Sequence, residues 1–207
     1  MRHNLEEGEN PAYAHIPVLW REIAGFIEES QFGGNGTFVD CTLGEGGHSN
    51  IFLRTYPGLR VIAFERDSAI LDVARERLKE FGDRIEFINN NFSDIMNHIK
   101  HESVNFILYD FGISSFHFDR SGRGFALSKD EPLDMRLDSS AQIDARYIVN
   151  NYLERDLSDV IFRLGDERWA RKIARVICNV RKERPIETTA ALAETVLTGI
   201  YGRDQSR

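Results

Sequence analysis

Cysteine is scarce in this chain: Cys41 and Cys178 are the only two among 207 residues, and both sit in apolar contexts. Two cysteines so placed do not make a disulfide framework, and a reducing, cytoplasmic setting is the natural expectation. No apolar run approaches the roughly 18 residues that a bilayer span requires, so no membrane partner is expected. The opening Met1–Glu9 is charged and lacks the apolar centre of a secretory signal. Internal repeats and low-complexity tracts are absent, and no metal site is assigned. Positive charge is also in short supply. Lys and Arg number 26 against 33 Asp and Glu, a net charge of −7, which argues weakly against a nucleic-acid partner. What is present is ordinary for a soluble globular protein: 42% hydrophobic and 29% charged residues, enough for one substantial core and a second small lobe.

The average charge hides a local reversal. Between Phe162 and Arg184 there are eight basic residues, Arg163, Arg168, Arg171, Lys172, Arg175, Arg181, Lys182 and Arg184, against three acidic ones, Asp166, Glu167 and Glu183. Such a stretch is either a solvated helix face or a contact surface for an anionic partner.

Periodicity gives the architecture. Leu19, Ile23, Phe26 and Ile27 recur at helical spacing around Trp20–Ile27. Thr37–Leu43 is predicted as a first strand, Arg60–Glu65 as a second, Arg84–Asn89 as a third and Val104–Tyr109 as a fourth. Helices are predicted between them, from about Gly47 to Arg54, from an N-cap at Ser68 through Ile70, Leu71, Ala74 and Leu78, and after Asn91-Phe-Ser-Asp. Strands alternating with helices imply right-handed βαβ units and a parallel, doubly wound α/β sheet. Phe111–Leu137, rich in Gly, Ser, Asp and Arg, reads as a long ordered functional loop. From Ala141 onward the pattern is helical. One helix is expected over Asp166–Val180, with Trp169, Ile173, Val176, Ile177 and Val180 inward and Arg168, Arg171, Lys172 and Arg175 outward. Another is expected over Thr188–Leu197, capped by Thr188 or Thr189.

The first strand ends at Asp40 and breaks into Gly44, Gly46 and Gly47, the layout of a strand, a tight turn and a helix start. Backbone there can approach a ligand closely, and the free N–H groups of the helix point at the same spot. Glu65 ends the second strand 18 residues beyond Gly47, where an acidic residue can accept hydrogen bonds from both ribose hydroxyls of an adenosine. Ser49 stands where the dinucleotide fingerprint wants its last glycine, which disfavours a nicotinamide oxidoreductase, and no Walker lysine follows the loop. A cofactor with adenosine but no pyrophosphate fits better, and S-adenosylmethionine is the candidate. His48 is either a ligand contact or structural. Asp110, at the carboxyl edge of the fourth strand, is placed to orient an acceptor amine, to touch the cofactor, or merely to cap a turn. In the loop, Arg123 and Arg136 are open to two readings, pairing with phosphate or with nearby aspartates, and Phe125 offers a stacking face.

His15-Ile-Pro-Val-Leu, Asp40-Cys-Thr-Leu-Gly-Glu-Gly-Gly-His-Ser, Glu65-Arg-Asp, Asn91-Phe, Tyr109-Asp-Phe-Gly-Ile-Ser-Ser, Arg123-Gly-Phe, Pro132-Leu-Asp-Met-Arg-Leu-Asp and Gly165-Asp-Glu-Arg-Trp-Ala-Arg-Lys-Ile-Ala occur in this order. Together they resemble the ribosomal RNA small subunit methyltransferase H family. The resemblance implies methylation of N4 of a cytidine in the decoding region of 16S rRNA, with S-adenosylmethionine as cofactor and 16S rRNA or the small ribosomal subunit as partner; a homodimer stays open. It implies cofactor contacts at Gly46, Gly47, His48, Glu65, Phe92, Asp110 and His117. The chemistry of the residues themselves makes Asp110 the candidate catalytic group and Arg123, Phe125, Arg136, Arg168, Arg171, Lys172 and Arg175 the candidate RNA contacts. The resemblance further implies a Rossmann-like methyltransferase domain over 1–118, a functional loop over 119–140 and a helical substrate-recognition domain over 141–207. Three departures stand out. Glu65 replaces the family's usual Asp, Ser114-Ser-Phe-His replaces Ser-Ser-Pro-Gln, and the family's later blocks, which return to the sheet, do not follow Arg207. The final strands are therefore expected to be missing, and a non-catalytic remnant that binds cofactor or RNA is the alternative to an active enzyme.

Overall fold

Parallel strands with apolar side chains on both faces need cover on both, and the chain supplies it. The structure, a computed structural model, describes residues 16–30 and 32–202, so His15 of the first motif lies outside the described residues. Two compact units form, Met1–Ile113 and Ser114–Arg207. The break falls at Ile113, and the stretch 119–140 belongs to the second unit.

In the first unit, α1 (Trp20–Glu29) precedes β1 (Gly36–Asp40), α2 (Gly47–Thr55), β2 (Leu59–Phe64), α3 (Ser68–Leu78), β3 (Ile85–Ile88), α4 (Ile95–His98) and β4 (Phe106–Leu108). Every described strand pairing is parallel, in the order β3-β2-β1-β4. Phe38, Val61, Ala63, Ile85, Phe106 and Leu108 face one core with Ala24, Ile27, Phe52, Leu53, Leu71, Ala74 and Leu78 of the first three helices. Val39, Ile62, Phe64 and Ile88 face the other way, against Phe92, Ile95 and Ile99. Burial on both faces is what selects a parallel, doubly wound sheet. The chain enters at β1, runs outward to β3 and returns to place β4 on the far side of β1. The reversal opens a crevice at the carboxyl ends of β1 and β4, where ligands bind in folds of this kind.

β1, β3 and β4 are shorter than the runs that signal them, whereas β2 keeps its six residues one position earlier. β1 stops at Asp40 because the Asp40 carboxylate accepts the Thr42 N–H (3.2 Å) and turns the chain, although Cys41 and Leu43 still donate to Leu108 and Phe64 carbonyls. Asp67 caps α3, accepting the Ala69 N–H at 3.0 Å, in place of the expected Ser68. An Asp in extended conformation one residue earlier satisfies the same orphan amides and favours the helix dipole as well.

The second unit is helical: α5 (Ser115–Asp119), α6 (Ala145–Asn151), α7 (Glu154–Gly165), α8 (Ala170–Val180) and α9 (Thr189–Tyr201), the last capped by Thr188. The single helix expected from Asp166 does not form. Asp166 ends α7 in a left-handed conformation (φ 50°), and the Glu167 carboxylate accepts the Trp169 N–H (2.7 Å), so helical geometry resumes only at Ala170. In consequence Trp169 is half exposed rather than inward, and Ala170, Ile173, Ala174, Ile177 and Cys178 form the buried stripe. These pack with Leu133, Val149, Leu157 and Ile186.

Asn150 of α6 ties this unit together. Its amide oxygen accepts the Ile186 N–H (2.9 Å), and its amide nitrogen donates to the Ile186 carbonyl (2.7 Å), as a strand backbone would. Asn150→Ala leaves both groups of the buried Ile186 without partners and is expected to cost about 2–3 kcal/mol. Urea unfolding followed by circular dichroism checks this. Asn150→Asp, which keeps the acceptor alone, should fall between.

Candidate functional site

Four strand ends converge on the crevice. A carboxylate lies in or just after three of them, Asp40, Glu65 and Asp110, and the β3 end leads into Asn91 and Phe92.

Asp40 is fully buried. One carboxylate oxygen accepts the Thr42 N–H, and the other accepts the Ser49 hydroxyl on α2 at 2.7 Å. Burial pushes its pKa up, and the Ser49 hydrogen bond and the nearby His48 oppose that rise. Thr42 in turn accepts the Asp110 N–H on Oγ1 at 2.7 Å, fixing the end of β4. Around Asp40, therefore, the turn, α2 and β4 share one network.

The glycine loop is positioned from two sides. Gly44 (φ 54°) donates its N–H to Glu65 Oε2 at 2.9 Å, while the Asp67 N–H donates to Oε1 at 2.8 Å. Glu65 thus clips the loop to the start of α3. Burial raises the Glu65 pKa against these hydrogen bonds and a further one from the Arg66 backbone. Gly46 (φ 82°) is the N-cap of α2, and a Cβ there would lie 2.6 Å from Leu78 Cδ1. The loop thus rests directly on α3, which only glycine permits. No side chain caps α2, so its first amides lack side-chain partners.

His48 Nε2 lies 2.9 Å from the Val18 carbonyl oxygen. A carbonyl only accepts, so Nε2 carries the proton and Nδ1 faces Asp110, 3.8 Å from Oδ2. Asp110 itself is half exposed.

Gly46, Gly47, His48, Glu65, Phe92 and Asp110 all lie in the first unit at the carboxyl side of the sheet. His117 lies in the second unit, buried in α5 with its ring edge-on to Phe125 at 4.9 Å. Arg123 donates to the carbonyls of Arg136 and Leu137 and stands 5.9 Å from the Phe125 ring. Arg136 grips both Asp134 oxygens (2.8 and 2.7 Å) and two further carbonyls, and this fork holds Asp134 below the usual carboxylate range. The choice between phosphate and aspartate that the sequence left open is therefore answered for Arg136 by Asp134. On α8, Lys172 donates to the Ile200 carbonyl and covers the Trp169 ring, and Arg175 stands 3.5 Å from Glu154. Arg168 and Arg171 are exposed and without partners among the described residues. No helix among the described residues is long and apolar enough to cross a membrane.

The sequence profile of the MraW methylase family matches residues 12–206. The chain belongs to this family. Among its relatives, the protein named ribosomal RNA small subunit methyltransferase H of Finegoldia magna is 42% identical over 89% of this chain and 59% of its own. The proteins of that name from Rhodococcus jostii and Borrelia turicatae are 42% and 43% identical, covering 94% and 88% of this chain and 62% of each relative. The chain spans about six tenths of the length of the curated relatives it matches. A solved putative rRNA-methylase from Clostridium thermocellum aligns more loosely, with 21% identity and a TM-score of 0.40 over 49% of this chain and 55% of that one.

Sequence reasoning passed over Thr42, Ser49, Tyr109 and Phe111. Thr42 and Ser49 had a usable signal: hydroxyls two and nine residues after a strand-end Asp that must be buried. Tyr109 and Phe111 were legible only as strand and loop apolar residues.

The Asp40 network generates a pH prediction. A carboxyl whose folded pKa is raised binds more protons folded than unfolded, so its contribution is full below the unfolded value near 4 and falls as pH rises through the folded pKa. Asp40→Asn can still accept from Thr42 and donate to Ser49. The melting temperature of Asp40→Asn minus that of the native protein should therefore increase as pH rises above about 4, measured by calorimetry. A difference independent of pH would show that Asp40 does not titrate in this range.

Proposed function

We propose that this chain binds S-adenosylmethionine at the carboxyl ends of β1, β2 and β3 and methylates N4 of a cytidine in the decoding region of 16S rRNA, free or within the small subunit, in the cytoplasm. The observation that carries this reading is the placement of Asp110 beside the glycine loop at the sheet reversal, in a chain of the MraW methylase family. The names of its relatives supply the substrate class.

The residues present suit the cofactor. Glu65 offers an acceptor-only carboxylate for ribose hydroxyls, and the first amides of α2 with the Gly44–Gly47 backbone suit a carboxylate. Phe92 gives an apolar face next to them. When bound, S-adenosylmethionine supplies an electrophilic methyl group on a sulfonium. The chain's own residues do the rest. An exocyclic amine is a poor nucleophile because its lone pair is delocalised into the ring. Asp110 Oδ2 accepts an N–H from that amine, which turns the lone pair toward the methyl group and offsets positive charge as it develops. The same oxygen is placed to take the proton the nitrogen must lose, with His48 Nδ1 3.8 Å behind it. No thiol is required. Cys41 is buried and burial raises its pKa, while Cys178 is buried in the second unit, so neither is suited to attack a base. Arg168 and Arg171, exposed on and beside α8, supply sequence-independent contacts to phosphate.

Asp110→Ala is expected to lower methyl transfer from labelled S-adenosylmethionine to small-subunit rRNA by at least about a hundredfold. Calorimetric affinity for the demethylated cofactor should fall far less. Full retained transfer would remove Asp110 from the mechanism. A native chain that binds no cofactor would favour the alternative, a non-catalytic RNA-binding remnant.

A further inference from the structure

Beside Asp110 lies an aromatic cluster of which only Phe92 has a part in the cofactor reading above. Tyr109 and Phe111 flank Asp110, and Phe92 follows β3. The Tyr109 and Phe111 rings are stacked, with centroids 5.7 Å apart and planes 23° apart. Phe92 meets both, 5.4 Å from Tyr109 at 80° and 6.2 Å from Phe111 at 59°. Phe92 is partly buried against Val39, Cys41, Phe64 and Ile88 and so anchors the group in the core. The outer rings are open: Tyr109 is 41% and Phe111 76% exposed. Tyr109 and Phe111 are the chain neighbours of Asp110, so the cluster lies next to it.

Three rings ordered edge-to-face and face-to-face need no rearrangement to receive a flat ligand, and an exposed phenyl gains most from one that covers its face. A nucleobase has that shape, and stacking accepts any base because every base offers a π face. We propose that Phe111 and Tyr109, buttressed by Phe92, form a platform that stacks a nucleobase at the carboxyl edge of the sheet. The inference rests on the reading of this crevice as a cofactor and RNA site, and adds residues that this reading does not assign. Two bases meet there under that reading, the adenine of the cofactor and the unpaired base presented to Asp110.

The test uses the whole chain with Phe111→Leu, which keeps apolar volume but removes the π face, and Phe111→Trp, which restores it. Binding of S-adenosylhomocysteine is measured by calorimetry, and binding of a short single-stranded rRNA-derived oligonucleotide by fluorescence anisotropy. A loss of at least about fivefold in Phe111→Leu, recovered in Phe111→Trp, is expected for one ligand, fivefold being the low end for a stacked base. Loss confined to S-adenosylhomocysteine assigns the platform to the adenine, and loss confined to the oligonucleotide assigns it to the target base. Unchanged affinity for both, in a variant that melts like the native protein, overturns the platform and leaves the methyltransferase reading standing. If the native chain binds neither ligand, both are overturned.

Discussion

A carboxylate with no access to solvent organises the crevice. Asp40 terminates the central strand, and its two oxygens hold the turn through Thr42 and α2 through Ser49. Thr42 passes the constraint on by accepting the Asp110 N–H. Asp110 is thereby positioned through backbone, by a residue that itself touches no ligand. Burying a carboxyl group is unfavourable unless its lone pairs are met, and the chain meets them with the groups whose positions matter most for chemistry at the strand ends. The same network joins strands that are far apart in sequence, which is why the sheet reversal and the candidate active carboxylate coincide.

Glu65 plays a comparable part for the glycine loop. A shorter Asp at this position would have one methylene less with which to reach the Gly44 amide, so the departure from the family's usual residue brings a structural contact with it. In the second unit, charge is used differently. Arg136 closes on Asp134, and Arg181 donates to the Val149 and Tyr152 carbonyls at the end of α6. Arg84 does the same in the first unit for the carbonyls of Leu53 and Tyr56 at the end of α2. Of the eight basic residues between Phe162 and Arg184, Arg163, Lys172, Arg175, Arg181 and Lys182 have partners in their own chain. A count of charges along the sequence therefore overstates what that stretch can offer an RNA backbone; Arg168 and Arg171 are the part of the helical face left open to it.

Most of the α/β unit was legible. Strands buried on both faces read as apolar runs, and their alternation with helices fixed the class of sheet. What the sequence blurred were the ends, because Cys41–Leu43 is as apolar as β1 itself and only the Asp40–Thr42 turn shows that the pleat has stopped. Asp67 and Ser68 are equally good caps by composition, and backbone conformation chose between them. Trp169 matched an apolar stripe by spacing, but the spacing assumed helix across Asp166, whose left-handed conformation resets the phase. The candidate cofactor residues at the strand ends stand out because carboxylates and glycines contrast with apolar runs. Tyr109 and Phe111 did not stand out, since an aromatic at a strand end looks the same whether it is covered or open.

The contact between Gly46 and Leu78 has a wider reach than its size suggests. The phosphate-free glycine loop is not a flap resting on solvent; its floor is a leucine whose other side belongs to the main core. The curvature of the loop is consequently set by the volume of an aliphatic side chain that no ligand would ever touch. Drift in the packing of α3 would be read out as drift in the shape of this loop, so the inner face of the helix is under the same constraint as the candidate site it supports.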